Sequence, residues 1–140
     1  MIATKLRPGT LATASRDGVM LTGIGHRFGR KTVLRDIDLE LGPGVFGLLG
    51  PNGAGKATLL KILATVQRPS EGDLRLLGLD PGLGRDVRLI RRRLGYLPQA
   101  FGYYPNFTVF EFIEYFALLK EMDPGNVRPA VAGAIQRVGL

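Results

Sequence analysis

The chain has no cysteine among its 140 residues. That excludes a disulfide framework and a thiolate metal site, and nothing argues for an oxidising compartment. It has a single histidine, His26. It also has no apolar run near the ~18–20 residues of a membrane span, so any membrane-spanning part of a larger assembly would be another polypeptide. Residues 1–19 (MIATKLRPGTLATASRDGV) lack the apolar core of a secretory signal. They are polar, small and without period, which predicts a flexible tail. Patterned sequence begins at Met20, which makes Met20 an alternative start.

An apolar fraction of 45%, punctuated by 20 glycines and 9 prolines, indicates a globular α/β chain of at most one domain, large enough for a real core. The net charge is +7, with basic residues gathered at Lys5, Arg7 and Arg16 and again at Arg85, Arg88, Arg91, Arg92 and Arg93. Such a balance is compatible with nucleic acid or an acidic membrane surface. A short arginine run is more often a solvated helix face.

The stretch that organises the chain is residues 45–63, VFGLLGPNGAGKATLLKIL. An apolar run, Val45 to Leu49, leads into a glycine-rich turn (Gly50, Pro51, Asn52, Gly53, Ala54, Gly55), then Lys56, then a helix-compatible stretch from Thr58 to Ala64. Strand, glycine loop, lysine and helix in that order form the phosphate-binding P-loop pattern. Glycines let the backbone turn its N–H groups inward with no Cβ in the way of a phosphate. The helix N-terminus adds unpaired N–H groups and the positive end of its dipole, and Lys56 adds a mobile charge. The pattern asks for a hydroxyl directly after the lysine, as a ligand for Mg²⁺, but Ala57 stands there. Thr58 comes one residue later, turned by about 100° on a helix, and does not substitute.

Around this loop the remaining elements follow from periodicity. Met20 to His26 reads as an edge strand, Thr32 to Leu34 as a short second strand, and Ile37, Leu39 and Leu41 as a half-buried strand with period two. Val45 to Leu49 suits a strand buried on both faces of a parallel sheet. Leu74 to Leu77 is a further strand. Asp86 to Arg93 is a short helix with Val87, Leu89 and Ile90 inside, and Leu94 to Leu97 is a strand ending at Pro98-Gln99. An aromatic loop over 100–107 (Phe101, Tyr103, Tyr104, Phe107) precedes a capping box, Thr108 to Glu111, that opens a helix to about Met122. Asp123-Pro124 starts the last helix. The helix from Thr108 is apolar on most sides, so it is either buried or a docking surface.

Taken together, Gly50 to Thr58, Leu94-Gly95-Tyr96-Leu97-Pro98-Gln99 and Gly102 to Val109 resemble Walker A, the Q-loop and the segment after it in ATP-binding-cassette (ABC) ATPase domains. His26-Arg27-Phe28-Gly29 matches the family's aromatic A-loop in position. The resemblance covers about residues 20–140. It implies an α/β P-loop NTPase core with antiparallel N-terminal strands and the start of a helical subdomain, truncated. By that resemblance Phe28 stacks on adenine, the Gly50–Gly55 backbone and Lys56 hold the phosphates, and Gln99 senses the γ-phosphate and its metal. The implied cofactors are ATP and a Mg²⁺ whose site Ala57 weakens. The implied partners are a membrane permease and a second ATP-binding domain, in a homo- or heterodimer, with no nucleic acid. The implied location is cytoplasmic, peripheral at the inner face of the membrane.

The 140 residues contain no LSGGQ-type signature, no Walker B Asp-Glu, and no histidine after His26, so the resemblance extends to the binding half of the family's machinery and gives no catalytic residue in this chain. Gly102-Tyr103-Tyr104-Pro105-Asn106-Phe107-Thr108-Val109 resembles export-type subunits. Two other readings stay open. One is a non-transport relative acting on the ribosome or DNA through the arginine segment, which would need a second cassette or long insertion. The other is a non-functional remnant.

Overall fold

The computed structural model describes residues 18–100 and 102–140. The tail expected over 1–19 lies outside the described residues as far as position 17, with Lys5, Arg7 and Arg16, and so does Phe101. Val19 is already paired in a strand, so ordered pattern starts one residue ahead of Met20. The chain divides between Leu94 and Gly95 into two compact units.

The first unit is built on a three-stranded antiparallel sheet of β1 (Val19–Phe28), β2 (Lys31–Leu41) and β3 (Glu71–Leu76), in the order β2-β1-β3. The edge strand expected from Met20 to His26 is therefore the central one. Its second neighbour, β3, comes from far along the chain, with Leu21 opposite Leu74 and Val19 opposite Leu76, a pairing that local alternation cannot reveal. The two strands expected over Thr32–Leu34 and Ile37–Leu41 are one. β2 carries a kink at Asp36 (φ 47°), and β1 slips register beside it at Gly23 (φ 59°). An extra residue in a strand shifts which face is buried. Hence Leu21 and Ile24, and likewise Leu34 and Ile37, all reach the core although each pair is three apart. The Gly23 N–H donates to Asp38 Oδ1 at 2.7 Å and holds the irregularity in place.

Helix α1 (Lys56–Leu63) presses Leu59 and Ile62 onto this sheet, and the shared core adds Leu74, Leu76 and Ile90. Past the end of α1, Thr65 takes a left-handed conformation (φ 58°). Arg91 grips it there: its Nε donates to Thr65 Oγ1 at 2.9 Å and its Nη2 to the Thr65 carbonyl at 2.8 Å. Arg91 belongs to α2 (Gly84–Arg93), whose inward face is Asp86 and Ile90, one helical turn apart. Leu89, expected inside, is exposed. Asp86 takes the inner place, accepting from the Asp80 N–H at 3.2 Å and lying 3.3 Å from Arg85 Nε.

Two expected strands are not formed. Val45 to Leu49 and Leu94 to Leu97 form no strand, with Val45 fully exposed and Leu97 80% exposed. An apolar run becomes a strand only when another strand satisfies its backbone groups. Among the described residues no strand lies beside either.

The second unit contains α3 (Val109–Leu119) and α4 (Pro124–Arg137). Both starts match the sequence. The Glu111 N–H donates to Thr108 Oγ1 at 3.2 Å, while the Thr108 N–H donates to Glu111 Oε2 at 2.7 Å. Asp123 caps α4 through the Gly125 N–H at 2.9 Å, with Pro124 in the first turn. The core is small: Ala117, Val127 and Val131, with Phe110, Ile113 and Ile135 against them. α3 stops at Leu119 rather than near Met122, and Glu121 turns back with φ 55°. Its rings form a cluster with the loop before it: Tyr104 lies 5.0 Å from Phe107 and 5.6 Å from Tyr115. Leu118 and Leu119 stay exposed.

The capping box has a pH signature. Hydrogen bonds from the Thr108 backbone and then its hydroxyl hold the Glu111 carboxyl below its ordinary 4.5. A depressed folded-state pKa gives a contribution that is complete above the ordinary value and is lost as pH falls through the folded one. Acidification of the full chain from neutral to about pH 3 should therefore cost helix signal by circular dichroism. Glu111→Gln should remove the part of that loss owed to the cap, and Thr108→Ala should destabilise α3 by about 1 kcal/mol at neutral pH. A titration identical in wild type and Glu111→Gln would contradict this.

Candidate functional site

The loop from Gly50 to Gly55 is shaped by contacts on both sides. On the inner side Ala54 is buried, and its N–H donates to the Pro51 carbonyl at 3.3 Å. Gly55 has φ 94°, and a Cβ there would stand 2.8 Å from Leu34 Cδ2 and 3.0 Å from the Val33 carbonyl oxygen. Only glycine lets the loop press this closely on β2. Gly53 has φ 79° in open space, so it is needed for the turn alone. Pro51, Asn52 and Gly53 are exposed.

Gly55 also ends the loop as the N-cap of α1 and makes no side-chain cap hydrogen bond. The first backbone N–H groups of a helix have no partner within it, and here neither a capping side chain nor a first-turn acid takes them. They are left for an anion, which the helix dipole also favours. Lys56 folds over the same loop: its Nζ donates to the Gly50 carbonyl at 2.5 Å and to the Pro51 carbonyl at 2.7 Å. Donors and one mobile cation thus converge on a loop of six residues.

The sheet carries an aromatic residue to the same end. Phe28 closes β1 opposite Lys31, two residues before the Val33 that abuts Gly55, or about 7 Å along a strand. Its ring is 52% exposed. The residues expected to bind base and phosphates, Phe28 and Gly50 to Thr58, therefore lie within the first unit. Gln99 belongs to the second unit, where it is exposed.

The residues do not fit a side-chain-held magnesium ion. Ala57 is exposed in the first turn of α1 and offers a methyl group where an oxygen ligand is needed. Among the described residues no cluster of three His, Asp or Glu side chains could hold a metal. Sequence reasoning missed the setting of His26, which is buried beneath Phe28 between Gln67 and Ser70. Its one signal was being the chain's single histidine.

A glycine loop pressed on a sheet, a lysine over it and an uncapped helix behind it define the P-loop class of phosphate-binding folds. Within that class the chain belongs to the ABC transporter family, whose model matches residues 34–140. It is 40% identical over 105 residues to the Nod factor export ATP-binding protein I of Paraburkholderia xenovorans, covering 74% of this chain and 34% of that protein. It is 43% identical over 86 residues to an aliphatic sulfonates import ATP-binding protein of Xanthomonas axonopodis pv. citri, covering 61% of this chain and 32% of that one. The chain thus spans about a third of the length of these two relatives. Its fold is shared with a solved dimeric ATP-binding cassette in a post-hydrolysis state bound to ADP and Pi, with TM-score 0.71 and 24% identity over 84% of this chain and 56% of that one.

Proposed function

We propose that this chain is the nucleotide-binding part of an ABC transporter's ATP-binding subunit. ATP is held with its adenine on Phe28 and its phosphates on the Gly50–Gly55 backbone, Lys56 and the first turn of α1. The observation that carries this reading is the convergence of Lys56 Nζ and the uncapped N-terminus of α1 on one loop. Gln99, on the segment leading to the helical unit, would sense the γ-phosphate. The exposed aromatic loop and α3 are the surface on which a permease subunit would dock, and a second ATP-binding domain would complete the site in a homo- or heterodimer. No described helix is long and apolar enough to cross a membrane, in keeping with a peripheral subunit on the cytoplasmic face.

Family members named for export and for import both match. An export direction is the narrower proposal and is supported by the Gly102–Val109 segment alone. A family member acting on the ribosome or DNA is the alternative, and a subunit that co-purifies with a permease distinguishes the two.

The binding mode has a direct test. Base–aromatic stacking is worth about 1–3 kcal/mol, so Phe28→Ala should weaken ATP binding about fivefold or more by calorimetric titration. Tripolyphosphate, which has no base, should bind the variant as it binds the wild type. Equal losses for the two ligands would rule out Phe28 as the base platform.

A further inference from the structure

His26 is only 7% exposed, and both its ring nitrogens are engaged. Nε2 lies 2.5 Å from Gln67 Nε2, and Nδ1 lies 3.3 Å from Ser70 Oγ. The Gln67 amide nitrogen is a donor, so Nε2 accepts from it, and Nδ1 is paired with the Ser70 hydroxyl. The same hydroxyl oxygen accepts the Arg27 N–H at 3.1 Å, and the Ser70 N–H donates to the Gly25 carbonyl at 2.9 Å. The segment that leaves α1 is therefore laced to β1 on both sides of His26, and the imidazole is fixed in place and in orientation.

Two residues along the strand, on the same face, stands Phe28. Its ring meets the imidazole edge-on, with centroids 4.7 Å apart and planes at 77°. That is a favoured geometry for a ring pair, and it sets the tilt of a ring that is otherwise half open to solvent. A platform for a flat base works by presenting its face at one angle, and a ring free to swing would lose part of the stacking to ordering.

We propose that His26 is a positioning residue for base recognition, locked by Gln67 and Ser70, and that it acts through the Phe28 ring without touching the nucleotide. The inference rests on the reading of Phe28 as the adenine platform. It also places the connection out of α1, the helix behind the phosphate loop, in mechanical contact with the base site.

A thermodynamic cycle tests this on the full chain, with ATP and tripolyphosphate titrated into wild type, His26→Leu, Gln67→Ala, Phe28→Ala and the double variants His26→Leu/Phe28→Ala and Gln67→Ala/Phe28→Ala. Each of the first two single variants should weaken ATP binding about three- to tenfold, the range of one edge-to-face ring contact, and leave tripolyphosphate unchanged. In the Phe28→Ala background neither should cause further loss. Should His26→Leu not fold, Gln67→Ala carries the test, because it keeps the imidazole and removes one of its anchors. An ATP loss that persists without the Phe28 ring, or wild-type ATP affinity in both single variants, would overturn the proposal and leave the platform reading intact. Equal loss of both ligands in Phe28→Ala alone would instead remove the platform reading and this inference with it.

Discussion

Lys56→Ala is expected to weaken binding of ATP and of tripolyphosphate alike, by about ten- to a hundredfold, with or without magnesium. Hydrogen bonds to a charged group contribute about 1.5–3 kcal/mol each, and an ammonium beside phosphates is of that kind. The side chain already reaches the loop, 2.5 Å and 2.7 Å from the Gly50 and Pro51 carbonyls. Turning toward a bound phosphate therefore needs little ordering of the side chain beyond what the folded chain has. The equality across the two ligands is what separates Lys56 from Phe28, since one serves the phosphates and the other the base. Calorimetric titration reads both. Wild-type affinity in Lys56→Ala would mean that the loop is not where phosphates bind.

The parts of this site that sequence shows directly are those made by neighbours in the chain. The glycine spacing, Lys56, the start of α1, the Thr108–Glu111 box and the Asp123-Pro124 start each depend on residues a few positions apart, and their signals are correspondingly local. Val45–Leu49 and Leu94–Leu97 failed as strands because composition states only that a segment is apolar; a partner strand has to come from elsewhere. The central place of β1 is hidden from local alternation for the same reason, its pairing with β3 being long-range. Leu89 suggests an inward position because it is a leucine, yet the turn of α2 gives the inner face to Asp86, whose carboxylate accepts the Asp80 N–H. The Gly23 and Asp36 irregularities left no trace in a simple alternation, and the Gln67 and Ser70 contacts of His26 span more than forty positions.

Ala57→Thr should turn a site nearly indifferent to magnesium into one that depends on it. The loop as it stands recognises phosphate with backbone N–H groups and Lys56, neither of which needs a metal. Magnesium prefers six oxygen ligands and commonly keeps several waters, so the ion can accompany ATP here without being tied to the protein. The unmodified chain should then bind ATP with little enhancement by Mg²⁺. A hydroxyl at position 57, in the first turn of α1, would tether the ion and enhance ATP binding by roughly tenfold or more, the scale on which the immediate surroundings of a metal tune its affinity. Affinity for ATP in the presence of a chelator should be the same in the two proteins, which separates a metal effect from a general improvement of the loop. Strong magnesium enhancement in the unmodified chain, unchanged by Ala57→Thr, would sink the argument.

The grip of Arg91 on Thr65 bears on how the first unit comes apart. A β-branched residue in the left-handed region is disfavoured by about 1–2 kcal/mol, and Thr65 is held there by two hydrogen bonds from a guanidinium on another helix. If α2 lifts away, Thr65 loses the two side-chain hydrogen bonds that hold it. The end of α1 then keeps only its own backbone bonds, such as the Thr65 N–H to the Ile62 carbonyl at 3.0 Å, and the Gln67 and Ser70 ties to β1. If α1 frays first, α2 loses its anchor. The contact therefore couples the opening of one helix to that of the other. Removing the grip, as in Arg91→Ala, should therefore speed amide exchange around Ile62 as well as around Ile90, although the two lie far apart in the chain.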